Sequence, residues 1–155
     1  MATNFLWGAV GTVINLLTTE LNSLADGSGS AYGPEVGIAN DYQLGQLHFH
    51  IASNSSAFTA TSYVDVFFVP SITTASGAAY ATYTSGSSYK LAEANYKVAS
   101  IAINPTTQGA NVVEEVVVDV RIPLGFFKAI FVSHACVTLP ASVNTLNLYP
   151  TPTQY

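Results

Sequence analysis

Charge is the scarcest property of this sequence. Only 8% of its 155 residues are Asp, Glu, Lys or Arg, against roughly 25% in an average soluble domain. The four basic residues are dispersed, and the formal net charge is −5. Nucleic-acid binding depends on clustered Lys and Arg that neutralise phosphates. The composition therefore argues against a nucleic-acid partner.

A long apolar run is also missing. A membrane-spanning helix needs about 18 consecutive apolar residues, and the longest candidate, residues 5–17, is interrupted by Gly8 and Gly11. No Lys or Arg precedes it to form the basic start of a signal peptide. We therefore expect no membrane partner and a chain that is synthesised and kept in the cytoplasm.

There is a single cysteine, Cys136, which excludes an internal disulfide. It lies in the apolar run FFKAIFVSHACV, and a free cysteine in such a run usually packs as a small apolar side chain. We expect Cys136 to be buried and not to serve as a reactive thiol.

What the sequence does contain is apolar and uncharged polar residues. Apolar residues make up 49% of the chain, and the surface must be covered largely by Ser, Thr, Asn, Gln, Ala and Gly. Surfaces of this kind repel one another only weakly. The sequence therefore predicts a protein that works in an assembly.

The first 30 residues predict an arm, a short helix and a loop. Apolar residues from Leu6 to Leu24 recur at the helical spacings of three and four, although two glycines interrupt the pattern. The segment ELNSLA, with Thr18 or Thr19 as its N-cap, is the best helical candidate. The residues DGSGS and YGP that follow are dense in turn formers and predict a loop.

From about residue 40 the hydrophobic period changes to two, which is typical of strands. In segment 43–52 the residues Leu47, Phe49 and Ile51 alternate with His48 and His50, so this segment predicts a half-buried strand. Further strands are predicted at residues 61–70, 96–103, 112–122, 126–137 and 145–149.

The motif NPTTQG between segments 96–103 and 112–122 is a strong turn signal, and it predicts that these two strands form a hairpin. Short strands separated by turns, with little helix, predict an all-β fold: an antiparallel β-sandwich or jelly roll. We expect one domain over residues 1–155, with the arm, short helix and loop in 1–30 and the sandwich core in 40–155.

The sequence predicts no active site. His48 and His50 are the best candidates, because alternate residues on a strand share a face about 7 Å apart, and with His134 or a carboxylate they could hold a divalent metal. A polar strand face is the simpler interpretation. Glu114 and Glu115 are adjacent and would face opposite sides of a strand, so they cannot act as a carboxylate pair. We expect no catalytic residues, no metal and no cofactor.

Tyrosines in a segment of Ser, Thr, Gly and Ala offer a second candidate site. Tyr80, Tyr83 and Tyr89 lie in or beside segment 71–88, which is too long for a hairpin turn and predicts a projecting loop. Aromatic rings on a β-scaffold can stack on sugars or anchor an interface. The alternative is that tyrosine simply suits half-buried strands and loop bases.

Two stretches, LLTTELNSLADGSGSAYG and IPLGFFKAIFVSHACVTLPASVNTLNLYP, resemble a family of small virion structural proteins of tailed bacteriophages. A strand that ends in a proline, Val64 to Pro70, and the sequence PAS before a closing L-x-x-x-P add to the resemblance. The resemblance implies a β-sandwich decoration, or cement, protein that is trimeric and sits on the outside of the capsid.

On this interpretation the partners are the major capsid protein and further copies of the chain in a homotrimer, and the location is the virion surface. Phe5, Leu6 and Trp7, apolar residues before the first predicted strand, are expected to contact the capsid or a neighbouring subunit. Three alternatives stay open: a tail- or fibre-associated receptor- or glycan-binding module that uses the tyrosine loop, a jelly-roll coat protein, and a metal-dependent enzyme that uses His48 and His50.

Overall fold

The computed structural model describes residues 6–7, 12–38, 43–52, 58–71, 97–103, 114–151 and 153–154. These residues form strands and one short turn of 3₁₀ helix, Thr19–Leu21, and none of them is in an α-helix. In chain order the strands are β1 Leu6–Trp7, β2 Ile14–Leu17, β3 Glu35–Ile38, β4 Leu44–Ile51, β5 Tyr63–Pro70, β6 Lys97–Ala102, β7 Glu114–Arg121, β8 Gly125–His134, β9 Thr145–Thr151 and β10 Thr153–Gln154.

Eight strands form two four-stranded antiparallel sheets that pack face to face. Sheet 1 has the order β2-β9-β4-β7 and sheet 2 the order β3-β8-β5-β6. The pairs β2–β9, β3–β8, β4–β7 and β5–β6 nest inside one another as in one long hairpin, and the pairs β4–β9 and β5–β8 roll that hairpin into two sheets. This nested order is that of a jelly roll. The prediction of an all-β sandwich is confirmed.

The core between the sheets follows from the period-two pattern of the strands. In β4, Leu47, Phe49 and Ile51 are buried while His48 and His50 lie on the other face and are partly exposed. Phe49 of sheet 1 meets Phe131 of sheet 2 across the core, with ring centroids 4.9 Å apart. The alternation predicted for this strand is therefore confirmed, and it places both imidazoles outside the core.

Sheet 2 is buried on both faces along part of its length. In β5 the residues Val66 and Phe68 belong to the core between the sheets, whereas Phe67 and Val69 alternate with them and point to the other side of the sheet. Phe67 and Val69 are nevertheless buried. Cover on both faces explains why residues 66–69 of this strand are consecutive apolar residues, a pattern that strands buried on both sides share.

The predicted hairpin between segments 96–103 and 112–122 is wrong. Strand β6 pairs with β5 in sheet 2, and β7 pairs with β4 in sheet 1, so the chain between them passes from one sheet to the other. A turn motif indicates where the chain reverses direction, but it does not determine which strand the next strand pairs with. That pairing depends on which strands still have an unpaired edge. Here each strand completes a pair with an earlier strand.

The amino-terminal part contributes more to the sandwich than the sequence indicates. Ile14–Leu17 is strand β2 rather than part of an arm, and β3 also precedes residue 40. A register irregularity between Asn15 and Leu17 accompanies the burial of the consecutive residues Leu16 and Leu17. Leu17 and Leu21 are four residues apart, which is also a helical spacing, and this explains the helical pattern in the sequence. The helix itself is limited to the single 3₁₀ turn.

Cys136 is exposed, which contradicts the expectation that it is buried. Strand β8 ends at His134, and Cys136 adopts the left-handed conformation with φ of 62°. Its backbone N–H donates to Asp26 Oδ1 at 3.0 Å. The apolar run continues in the sequence beyond the point where the strand ends, so the chain turns outward before it reaches the thiol.

Candidate functional site

The predicted contact residues at the amino terminus lie in a strand pair. Leu6 pairs with Gln154 and Trp7 with Thr153, which joins β1 to β10 in a two-stranded antiparallel ribbon. Phe5 and the three loop tyrosines, Tyr80, Tyr83 and Tyr89, lie outside the described residues. The segment predicted to be an arm is thus tied, at Leu6 and Trp7, to the carboxyl-terminal part of the chain.

A groove lies on the outer face of sheet 1, where three strands bring polar side chains together. In the register of the sheet, His48 is flanked by Asn147 on β9 and by Val117 on β7, and Thr145 lies beside His50. The groove has a volume of about 210 Å³. Its outward-facing lining consists of His48, His50, Val117, Thr145, Asn147 and Tyr149.

Two features distinguish this groove from an ordinary polar strand face. The rings of His48 and Tyr149 pack against each other, with centroids 4.1 Å apart and planes inclined by 38°. The side-chain oxygen of Asn147 is buried and accepts no hydrogen bond within the described structure. A buried acceptor without a donor is destabilising, so this oxygen does not add to the stability of the free protein. Among the described side chains that line the groove there is no Asp, Glu, Lys or Arg.

The structure does not assemble the three-histidine metal site. His48 and His50 are on the outer face of sheet 1, whereas His134 is on β8 of sheet 2 and lies opposite Tyr63 of β5. Among the described residues, no three His, Cys, Asp or Glu side chains are grouped as metal ligands would be. The two imidazoles of β4 line the groove on sheet 1, and His134 is not available to them as a third ligand.

A second polar cluster, missed by the sequence analysis, surrounds Asp65 on the outer face of sheet 2. The Asp65 carboxylate lies 2.7 Å from Lys97 Nζ and accepts a hydrogen bond of 2.6 Å from Ser100 Oγ. His134 Nε2 is 3.7 Å from the other carboxylate oxygen, and its ring stacks on that of Tyr63, with centroids 4.5 Å apart. The signal in the sequence was one acidic residue within the apolar strand YVDVFFVP.

The order of contacts in this cluster differs from that of a catalytic triad. In a triad the imidazole lies between the serine and the carboxylate and removes the serine proton. Here the Ser100 hydroxyl donates directly to Asp65, and the imidazole contacts the far side of the carboxylate. Asp65 is well compensated by Lys97 and Ser100, as a largely buried charge must be. We interpret the cluster as an ion pair that stabilises the pairing of β5 with β6 and with β8.

No protein-family model, curated protein or solved structure matches this chain. The described segments contain no helix that is long and apolar enough to cross a membrane. The jelly-roll fold, its nearly uncharged surface, the groove on sheet 1 and the ion-pair cluster on sheet 2 are therefore the observations from which a function is proposed.

Proposed function

We propose that this protein is a non-catalytic virion structural protein that binds the outer surface of a capsid and stabilises the head. The carrying observation is a jelly-roll sandwich with only 8% charged residues. Jelly rolls serve in viral capsid proteins, lectins and cupins, but a fold alone does not assign a function. The scarcity of charge favours the assembled role, because uncharged faces can approach one another closely.

Exposed apolar residues at both ends of the sandwich support lattice contacts. Leu124, between β7 and β8, is 62% exposed, and Val143, between β8 and β9, is 67% exposed. The loops that carry them are at opposite ends of β8. A protein that bridges neighbouring capsomers needs contact surfaces on more than one side, and these two residues supply apolar area at each end.

Val143 carries a second unusual property. Its φ is 66°, a left-handed conformation that is strongly disfavoured for a β-branched residue. Backbone strain of this kind often accompanies function. An exposed and strained valine contributes little to the stability of the isolated protein. We therefore propose that Val143 contacts a partner.

The change Val143→Asn tests this contact, since Asn tolerates the left-handed conformation. The variant is expected to be more stable by about 1 kcal/mol and to bind capsids more weakly. Ser23→Asn is the matched control, because Ser23 has a φ of 55° but adds no large apolar group. Unchanged capsid binding by Val143→Asn would remove Val143 from the proposed contact.

The partners proposed are the major capsid protein and other copies of this chain, arranged as a homotrimer on the virion surface. Symmetric association is the usual route by which identical subunits match their surfaces. Phe5, Leu6 and Trp7 are proposed to take part in the contact, together with the β1–β10 ribbon that contains Leu6 and Trp7. Deletion of residues 1–11 should abolish capsid binding and leave the sandwich folded, and normal binding by the truncated chain would refute this part.

The decisive measurement is the copy number of this chain relative to the major shell protein in purified particles, by quantitative mass spectrometry. A ratio near one, on the order of hundreds of copies, is expected for a decoration protein. A few copies per particle would instead indicate a tail or fibre component. Absence from particles would refute the proposal.

Salt provides an independent test of the forces involved. Apolar contacts dominate the proposed interface, so capsid binding should change little between low and moderate ionic strength. A steep loss of binding over that range would indicate an electrostatic interface and contradict the proposed mechanism.

A jelly-roll coat protein is the second candidate, favoured by the strand order itself. The same particle analysis separates the two roles. A coat protein would be the most abundant protein of the shell and would assemble into closed particles when expressed alone, whereas a decoration protein requires a preformed capsid.

A further inference from the structure

The groove on the outer face of sheet 1 has no part in the proposed capsid contact at Leu124, Val143 and the β1–β10 ribbon. It is formed by residues 48–50 of β4, Val117 of β7 and residues 145–149 of β9. None of these residues is part of the proposed contact, although Thr145 begins β9 and lies two positions after Val143. Ligand binding in this groove is an additional activity that can be measured on the isolated chain, whereas adhesion by many copies rests on the proposed function.

The chemistry of the groove selects a small, neutral ligand. Its volume of about 210 Å³ is below the roughly 300–1,000 Å³ typical of sites for drug-sized molecules. Among the side chains that the structure describes, no Lys or Arg lines it to hold a phosphate or carboxylate, and no Asp or Glu lines it to hold a cation. A ligand must instead offer both hydrogen-bonding groups and an apolar face.

The polar contacts are supplied by groups that can both donate and accept. Asn147 has an amide whose oxygen is buried without a donor, and Thr145 adds a hydroxyl beside it on the same strand face. Rotation about the terminal torsion of Asn147 is soft, so its amide can turn to present either its oxygen or its nitrogen to a ligand. This combination matches vicinal hydroxyl groups, which also donate and accept.

The apolar contacts are supplied by rings and a methyl-bearing side chain. The packed His48 and Tyr149 rings form one wall, and Val117, which is 51% exposed, lies on the neighbouring strand. The rings are in direct contact, with centroids 4.1 Å apart, and leave no slot between them for a flat nucleobase. The C–H face of a sugar ring suits such a wall, because aromatic faces are electron-rich.

We propose that this groove binds a single neutral pyranose unit, as found at the surface of a cell or in a polysaccharide. Each contact is weak on its own. A protein displayed in many copies on a particle would convert weak contacts into firm adhesion, because multivalency can raise overall affinity by roughly 10²–10⁴.

The test is a titration of the ¹⁵N-labelled full chain, followed by two-dimensional NMR, with the methyl glycosides of glucose, galactose and mannose and with N-acetylglucosamine. Saturable shifts with at least one sugar, concentrated on β4 and β9 around His48 and Asn147, are the expected result. The absence of saturable shifts with all four, or a stronger response to adenosine, would overturn the proposal.

Variants then assign the binding to the groove. Asn147→Leu removes the amide at nearly constant volume and should weaken sugar binding about ten-fold, the effect of one good hydrogen bond. Asn15→Ala is the matched control, because Asn15 lies directly beside Asn147 on β2 but outside the groove lining, and it should bind normally. His48→Ala removes part of the ring wall and should also weaken binding.

Folding is checked for each variant by its urea midpoint. The Asn147 oxygen has no donor in the free protein, so Asn147→Leu should unfold at the same or a higher urea concentration than the original chain. Loss of binding with the midpoint retained supports the site. Equal loss of binding in Asn147→Leu and Asn15→Ala would overturn it.

Discussion

Two buried serines provide a sharp test of the hydrogen-bonding pattern. Ser133 and Ser62 are both almost completely buried. The Ser133 hydroxyl has no hydrogen-bond partner in the described structure. The Ser62 hydroxyl donates to the Ala135 carbonyl at 2.7 Å and accepts from the Thr59 N–H at 2.9 Å. The same substitution to alanine should therefore change stability in opposite directions.

The magnitudes follow from the state of each hydroxyl. A buried polar group without a partner destabilises a protein by about 1–3 kcal/mol, so Ser133→Ala should raise the free energy of unfolding by about 1 kcal/mol. Ser62→Ala removes these two hydrogen bonds and a longer contact of 3.3 Å with the Thr59 hydroxyl. At about 1 kcal/mol for each of the two short hydrogen bonds, it should lower the free energy of unfolding by about 2 kcal/mol. The two variants should then differ by about 3 kcal/mol.

Urea unfolding followed by far-UV circular dichroism measures both values. The slope of the free energy against urea should be unchanged in each variant, because neither substitution alters the surface exposed on unfolding. In thermal unfolding, Ser133→Ala should raise Tm by about 2–4 °C. If Ser133→Ala destabilises the protein as much as Ser62→Ala does, the Ser133 hydroxyl has a partner and the reasoning is wrong.

Three further predictions test packing and exposure. Phe49→Ala should lower the free energy of unfolding by about 3–5 kcal/mol. Val117→Ala, on the outer face of the same sheet, should change it by less than about 0.5 kcal/mol. Equal effects of the two substitutions in urea unfolding would contradict the assignment of the two faces. Gly33→Ala should prevent or severely weaken folding, because an added Cβ would lie 2.1 Å from the Leu16 carbonyl oxygen, and a soluble variant with an unchanged Tm would contradict that close approach. The exposed Cys136 thiol should react with a disulfide reagent in the native protein at a rate close to that in urea, and strong protection would show that it is covered.

Local patterns in the sequence were sufficient to predict the fold class. The alternation of Leu47, Phe49 and Ile51 with two histidines fixed which face of β4 is buried, because side chains on a strand alternate strictly. Strand β3 was missed, since it has only four residues, includes Gly37 and directly follows Pro34. A short strand with a glycine and a preceding proline resembles a loop when it is judged by its own residues alone.

The candidate sites depend on pairings that local patterns do not contain. Asp65 meets Lys97 and His134 only because β6 and β8 both pair with β5. Likewise, Asn147 reaches His48 through the β4–β9 register. Each of these contacts joins residues far apart in the sequence. The residue types were visible from the start, but their proximity results from the nested strand order.

The nested order also determines when this protein can fold during synthesis. Strands β2 and β3 are synthesised early, but Ile14 pairs with Leu148 and Val36 pairs with Phe127, so neither strand has its partner until late in synthesis. Closing such long loops is slow, so we expect sheet 2 to be completed only after β8 has been translated and sheet 1 only after β9. Until then the nascent chain carries two unpaired strands with little charge to keep them apart. On a polysome, β2 of one chain can form the same backbone hydrogen bonds with β9 of a neighbouring chain as with its own β9. We therefore expect this topology to favour misfolding by exchange of β2 between copies.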